Sequence, residues 1–266
     1  MSAHGNAHTH HSYFRPMGTL TMDMIFYISD QIEFVSIKDG ILRFEEHSHS
    51  SHIVISAPLR GRALLTVGGE RRDIDAGTVF FLLPYEDHSI VSDDPVDMIS
   101  LCIKKDMLGG DRERYLKLVR SAVKWSWEKE ALPDGDVQGR ILEAAAAIYD
   151  TYTDAPADDE LLTGCRDDIA EHPEDDRDIG SLADDLYMSK FHYIRKFKKA
   201  AGLTPNRFRI QSRIRMAQQM LRSGQPITSA ALDVGFFDQS HFNKYFKKIV
   251  GVSPKKYISS LRNFLQ

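Results

Sequence analysis

Cysteine is nearly absent from this chain of 266 residues. Cys102 and Cys165 stand far apart with no CxxC spacing, which argues against a disulfide framework and for two reduced, unpaired thiols. Long apolar runs are missing too. No stretch approaches the roughly 18–20 residues of a membrane span, and no basic segment followed by an apolar one opens the sequence. The expectation is a soluble, unexported, cytoplasmic protein with no membrane partner. Hydrophobic residues make up 42%, ample for ordinary cores, and the length suits one or two domains.

An overall excess of positive charge is also lacking, since the formal net charge is −4. The distribution, however, is uneven. From Arg177 to the end there are 17 Lys and Arg against 5 Asp and Glu, a net of +12; the preceding 176 residues carry 17 against 33, a net of −16. A cationic module on an acidic body suits phosphate binding at one end, with the acidic part opposing indiscriminate adhesion.

The most informative stretch runs from Asp233 to Lys248. Gly235 can take the positive φ that stops one helix and turns the chain, and Asp238 suits the cap of a new helix. Phe242, Tyr245 and Phe246 then fall at i, i+3 and i+4 and predict a buried stripe, while Gln239, Ser240, Asn243 and Lys244 share the other face. This is a helix-turn-helix pattern whose amide, hydroxyl and ammonium groups suit base edges and phosphates. Alone it fits an ordinary surface helix equally well, but a second copy lies upstream. Phe197–Phe208 parallels Phe246–Tyr257 at a constant offset of 49, with Ser189 matching Asp238, His192 matching His241 and Arg195 matching Lys244.

At these residues the region from about 180 to 266 resembles the two-helix-turn-helix DNA-binding domain of the AraC/XylS family of bacterial transcription regulators. The run Ala231-x-x-x-Gly235-Phe236-x-Asp238-Gln239-Ser240-x-Phe242, followed by Phe246-Lys247-Lys248 and Gly251-x-Ser253-Pro254, is close to the family signature. The resemblance implies base-reading positions at Phe191, Ile194 and Arg195 in the first recognition helix, and at Gln239, Ser240, Asn243 and Lys244 in the second. Arg195 can bond guanine or hold only phosphate, Gln239 or Asn243 can bond adenine, and Phe191 or Ile194 can pack on a thymine methyl. Lys190, Lys198, Arg209, Arg213, Lys247 and Lys248 are expected phosphate contacts or plain surface charge. Double-stranded promoter DNA and RNA polymerase are the implied partners, and activation is the usual sign.

Between about 22 and 104 the sequence reads as short strands at 24–28, 33–37, 41–45, 52–57, 62–67, 79–83 and 97–103, with Gly68-Gly69 marking a hairpin. Closely spaced strands without interleaved helices favour a sandwich or barrel. The region resembles the cupin-type effector domain of many family members: His47-Ser48-His49 and the later His88 match the two cupin motifs. Alternate strand residues share a face, so His47 and His49 can point inward and converge with His88. Three imidazoles suit a divalent metal, or they line the pocket of a small organic effector. The pattern departs from a metal cupin at Ile53, near the usual glutamate, and at Glu86, where the usual glycine is missing. Arg60 and Arg62 can pair an effector carboxylate or remain solvated charges at a strand edge.

Tyr115, Leu118, Val119 and Ala122, then Ile141, Ala144, Ala145 and Ile148, carry helical spacing over 111–152. These helices either pack only on their own barrel or, as the resemblance implies, dimerise with a second copy. Eleven acidic residues between Asp154 and Asp178, with Leu161, Leu162 and Ile169 as the few apolar side chains, suggest a solvated linker with room for one short helix. The expected class is α+β, with four segments. These are a histidine-bearing arm over 1–20, a cupin-like effector and dimerisation domain over 21–153, an acidic linker over 154–178, and an all-α double helix-turn-helix domain over 179–266. The expected function is an effector-controlled, DNA-binding transcription regulator with no catalytic residues. Metal sensing at His47, His49 and His88, or a cupin-type metalloenzyme fused to a DNA module, are the alternatives.

Overall fold

The computed structural model describes residues 22–132, 136–152 and 160–263. The arm expected over 1–20 lies outside the described residues. From Asp23 the chain alternates tightly between strand and turn. The strands are β1 (Asp23–Ile28), β2 (Ile32–Gly40), β3 (Arg43–His47), β4 (His52–Arg60), β5 (Arg62–Val67), β6 (Glu70–Asp75), β7 (Phe80–Leu82), β8 (His88–Val91) and β9 (Val96–Lys104). They build two sheets. One has the order β1-β2-β9-β4-β7 and the other β3-β8-β5-β6.

Seven of these strands lie where alternation and turn residues place them. The other two, β6 and β8, carry no such signal. β6 reads Glu-Arg-Arg-Asp-Ile-Asp with only Ile74 buried, because it forms the edge of its sheet and needs a single inward residue. Gly68 and Gly69, at φ 56° and 86°, join it to β5 in the conformation that two-residue hairpins require.

Two helices cover the larger sheet, α1 (Arg112–Glu130) and α2 (Asp136–Thr151). Asp111 caps α1 by accepting from the Arg114 amide. Tyr115, Val119, Ala122, Trp127, Ile141, Ala145 and Ile148 are buried against Phe34, Ile53, Ile55 and Leu101 on the sheet's outer face. The apolar stripes of both helices are therefore consumed within the chain.

The acidic segment contains a packed helix, α3 (Glu160–Glu171), whose Leu162 and Ile169 are buried. Two apolar side chains two turns apart on a short helix suffice to dock it, whatever the charge of its outer face. It lies against α5 (Lys190–Ala201) and α6 (Pro205–Arg222). The first helix-turn-helix is α4 (Ile179–Asp185) with α5, and the second is α7 (Ile227–Asp233) with α8 (Gln239–Val250), followed by α9 (Pro254–Ser260).

The internal repeat is structural down to the caps. Ser189 accepts from the His192 amide and Asp238 from the His241 amide; Gly202 and Gly251 end α5 and α8 in the left-handed region, at φ 74° and 90°. The two subdomains differ in what they pack against. The first has its own core around Tyr193, Phe197 and Phe208. The second shares one continuous buried cluster with the barrel, in which Val54, Leu82 and Met98 join Ile214, Leu221 and Phe246. Phe26 meets Tyr257 edge-on at 4.9 Å, and β10 (Leu261–Asn263) adds to the larger sheet as a parallel neighbour of β1.

Gly202 is doubly constrained, because a Cβ there would also strike the backbone carbonyl of Tyr85 in the barrel. Gly224, at φ 90°, has nothing within 4 Å of such a Cβ. Gly224→Ala should therefore cost only the left-handed conformation, about 1–2 kcal/mol, whereas Gly202→Ala should cost clearly more. Denaturant melts of the two variants check this, and equal losses would show that the barrel does not press on α5.

Candidate effector site and nucleic-acid interface

The sequence places histidines on β3 and β8, and the register sets His47 directly opposite His88. The ladder shifts between Phe44 and His47, a β-bulge. Without it, residues three apart would face opposite ways; with it, Phe44 enters the apolar core and His47 is buried as well. His49 follows just past the strand end, and its ring lies 5.3 Å from His47 and 5.0 Å from His88, while His47 and His88 are 4.2 Å apart. One nitrogen from each comes within 4.8 Å of the other two.

The ring contacts fix which nitrogens are free. His47 Nδ1 lies 2.7 Å from the Glu45 carbonyl and His88 Nδ1 lies 2.9 Å from the Glu86 carbonyl. A carbonyl only accepts, so both Nδ1 atoms carry the proton and both Nε2 lone pairs remain available. Burial, reinforced by the neighbouring His88, holds the His47 pKa well below the usual imidazole range. Burial and the charge of Arg215 do the same to His49, and burial lowers His88 to about 4. Neutral imidazoles with hydrogen-bonded backs are the donor set that divalent transition metals favour.

Other expected members of this site lie elsewhere. Ile53 packs toward α1 and α2, on the far side of its sheet, and among the described residues no carboxylate joins the three histidines in the cluster. Arg60 and Arg62 flank the turn at the opposite end of β4 from His52, and neither lines the pocket. Arg60 donates to Asp97 and Asp39, and Arg62 to Asp75, because each strand-end guanidinium finds a carboxylate across its own ladder. His52 is half-buried beside Ser51, with burial lowering its pKa to about 4.

The histidine loop is read residue by residue by the helical domain. Glu46 pairs with Arg207 and, at 3.8 Å, with Lys198; the Ser48 amide donates to Gln211 Oε1 at 3.0 Å; Arg215 Nη2 lies 2.7 Å from His49 Nδ1. Arg207, Gln211 and Arg215 recur every four residues, one stripe of α6. Farther along, Arg222 meets half-buried Glu33 at 2.7 Å and donates to the Tyr257 hydroxyl at 2.6 Å. Beside this seam a cleft of about 980 Å³ opens between β3 and α8–α9, with Phe44 and Val252 at its floor and Arg43, Lys244, Lys247 and Lys256 around it. Sequence reasoning missed Glu33, Gln211, Arg215 and Arg222. Only the period-four spacing of 207, 211 and 215 hinted at a second face on the connector.

The expected reading positions lie mostly on the outer surface of α5 and α8. Phe191 is 86% exposed, and Arg195, Gln239, Ser240 and Lys244 are exposed. Ile194 and Asn243 are half-buried. Gln239 Oε1 accepts from the Thr228 hydroxyl at 2.9 Å, a tie between the two helices of the second motif. Among the cations expected on phosphate, Lys190 and Lys247 are exposed and Arg209 is half-buried. Lys198 and Lys248 face Glu46 and Glu45 of the barrel. Arg213 is not a surface cation. It is only 9% exposed and donates to the Pro173 carbonyl at 2.7 Å and the Gly235 carbonyl at 2.6 Å, so it ties the acidic segment to the second turn and cannot reach phosphate.

A barrel with an inward cluster, joined to two helix-turn-helix units on one connecting helix, defines an effector-domain transcription regulator. The family descriptions that match are an AraC-like ligand binding domain over residues 42–162 and a helix-turn-helix domain over 182–260. The uncharacterized HTH-type transcriptional regulator YbfI of Bacillus subtilis is 27% identical over 236 residues, covering 79% of this chain and 85% of that protein. An uncharacterized HTH-type transcriptional regulator of Haemophilus influenzae is 35% identical over 94 residues, a match that spans 35% of this chain and 32% of that protein. Unsaturated fatty acid-bound ToxT from Vibrio cholerae shares the fold at a TM-score of 0.52 and 15% identity, covering 88% of this chain and 96% of that one. The chain belongs to the AraC family of transcriptional regulators, with its ligand-binding domain N-terminal to its DNA-binding domain.

Burial makes stability depend on pH. Unfolded histidines take up protons near pH 6.5, whereas folded His52 and His88 do so only at about 4. Their contribution is therefore complete above about pH 6.5 and is lost as pH falls toward 4, at most about 3 kcal/mol for each site. Thermal melts of chelator-treated protein should show a lower Tm at pH 5 than at pH 7.5; an unchanged Tm would show that these rings are not held neutral by the fold.

Proposed function

We propose that this regulator reads promoter DNA with α5 and α8 and is switched by an effector held where the barrel meets α6. The observation that carries this reading is the single buried cluster shared by the barrel interior and the second helix-turn-helix. Whatever occupies the barrel mouth must contact or displace the connector on which both reading heads are mounted, so binding there shifts the population of head arrangements. Phe191, Ile194 and Arg195 would read one major groove, and Gln239, Ser240, Asn243 and Lys244 the next, with Lys190, Arg209 and Lys247 holding backbone phosphate.

The effector's chemical class follows from the seam. Two guanidiniums, Arg215 and Arg222, lie along it, which suits a carboxylate, and the ToxT structure of the same fold holds an unsaturated fatty acid. A divalent ion at His47, His49 and His88 is the second reading, favoured by the two Nε2 lone pairs their backbone contacts leave free. The chain is read as a binding protein with no catalytic role. Its cytoplasmic location, its activating sign and its contact with RNA polymerase belong to this proposal. So does a homodimer, which would have to use the outer faces of α1 and α2, since their inner stripes are filled.

Gln239→Ala should relax preference at one base pair by ~1–3 kcal/mol, while Lys247→Ala should weaken all sequences alike and lower the salt slope by about 1. Binding to a randomised duplex library at several salt concentrations separates the two. Unchanged sequence preference in Gln239→Ala would remove α8 as a reader.

A further inference from the structure

His47 and His88 are arranged as ligands, but His49 is not. Arginine has only donors, so His49 Nδ1, at 2.7 Å from Arg215 Nη2, must accept, and the proton of this neutral ring sits on Nε2. The one lone pair of the third imidazole is thus spent on a helix of the DNA-binding domain. We propose that the three-histidine cluster takes a divalent transition-metal ion, and that ion and Arg215 are mutually exclusive partners of His49, so that metal binding unlatches α6 from the barrel.

The exclusion holds for either ring nitrogen. Coordination through Nδ1 takes the lone pair that Arg215 uses. Coordination through Nε2 moves the proton to Nδ1, which then points an N–H at a group that can only donate. Charge acts in the same direction, since a dication would stand beside a guanidinium. In the present arrangement Arg215 is the cation that the cluster faces.

The geometry also says which ligand moves. An ion about 2.0–2.1 Å from each nitrogen would hold them roughly 3.3 Å apart, closer than the 4.8 Å limit within which they now lie. His47 and His88 are buried, paired in register and tied to backbone carbonyls. His49 lies past the end of β3, is half-buried, and has Arg215 as the ring partner that positions it. Contraction of the cluster therefore swings His49 inward and leaves Arg215 behind. The neighbouring contacts of the same stripe, Arg207 with Glu46 and Gln211 with Ser48, span the same few residues of loop and lose their register with it.

The consequence for DNA binding rests on the effector-controlled reading above; the competition at His49 does not. The test uses the full chain with His4, His8, His10 and His11 changed to Gln, so that the terminal histidines do not bind the probe, and Zn²⁺ or Ni²⁺ alone as ligand. Calorimetry should show one ion per chain, binding abolished in the His47→Gln, His88→Gln double variant, and affinity raised at least five-fold in Arg215→Met, where the competitor is gone. Hydrogen exchange read in the unaltered seam should show faster exchange of α6 amides from 207 to 215 on adding metal, absent in the double variant. That readout needs no change at Arg215, should Arg215→Met fold poorly. Equal affinity in Arg215→Met with unchanged α6 exchange would overturn the latch, and no binding at all would overturn the site. Either failure leaves the DNA-reading assignment standing, because the Gln239→Ala preference is measured without metal.

Discussion

The arrangement of the whole molecule depends on one face of α6. A connector between two helix-turn-helix units needs apolar residues toward both, and Phe208 supplies them to the first while Ile214, Ala217 and Leu221 supply them to the second. The adjoining face carries Arg207, Gln211, Arg215 and Arg222, and each meets a group on the barrel. The Arg222–Glu33 pair is half-buried, and its net contribution to stability is modest because desolvating two charges offsets much of their attraction. What such a pair enforces is a unique arrangement, because removing either partner leaves the other charge half-buried without its counterpart. The seam is therefore specific before it is strong, which is the property required of an interface meant to exchange one set of partners for another.

Charge distribution reinforces this. The barrel is acidic and the helical domain cationic, and their carboxylates and ammonium groups meet at Glu45 with Lys248, Glu46 with Lys198 and Asp23 with Lys256. Each pair is at least partly solvent-exposed and singly worth little. Collectively they place carboxylates opposite cations that the helical repeat would otherwise offer to phosphate. Lys244 and Lys247 border the same cleft but are exposed, with no barrel carboxylate paired to them among the described residues. The charge contrast seen along the sequence thus has an intramolecular use as well as an intermolecular one.

Much of the fold was legible because local signals and tertiary demand agree. Gly235 and Asp238 end and begin helices wherever they are placed, and a repeat at an offset of 49 has few explanations. β6 was illegible because an edge strand with one buried residue has no alternation; α3 was readable as a short helix but not as a packed one, because eleven acidic residues outweigh Leu162 and Ile169. At the site, the convergence of His47, His49 and His88 was readable from their motif, but by an incomplete argument. Simple alternation assigns faces without the bulge before His47, and it carries the strand through His49, although the strand ends first. Arg60 and Arg62 follow the strand-edge alternative and not the effector one, and Arg213 fits neither of its readings, for one reason: an arginine's partner is decided by what the fold brings within reach, and nothing near it in the sequence states that.

The bulge also explains why one short loop can serve two masters. A regular strand would send 45, 47 and 49 to one side and 46 and 48 to the other, fixing all five to the sheet. The bulge and early termination instead leave His47 in the ladder opposite His88 while Ser48 and His49 are positioned by Gln211 and Arg215 of α6. The boundary between barrel and DNA-binding domain thus runs between adjacent residues of the His-Ser-His motif. A ligand that pulls on the motif from inside the barrel pulls directly on the connector, with no intervening element to absorb the displacement, and that short mechanical path is what a packed core of this density can transmit.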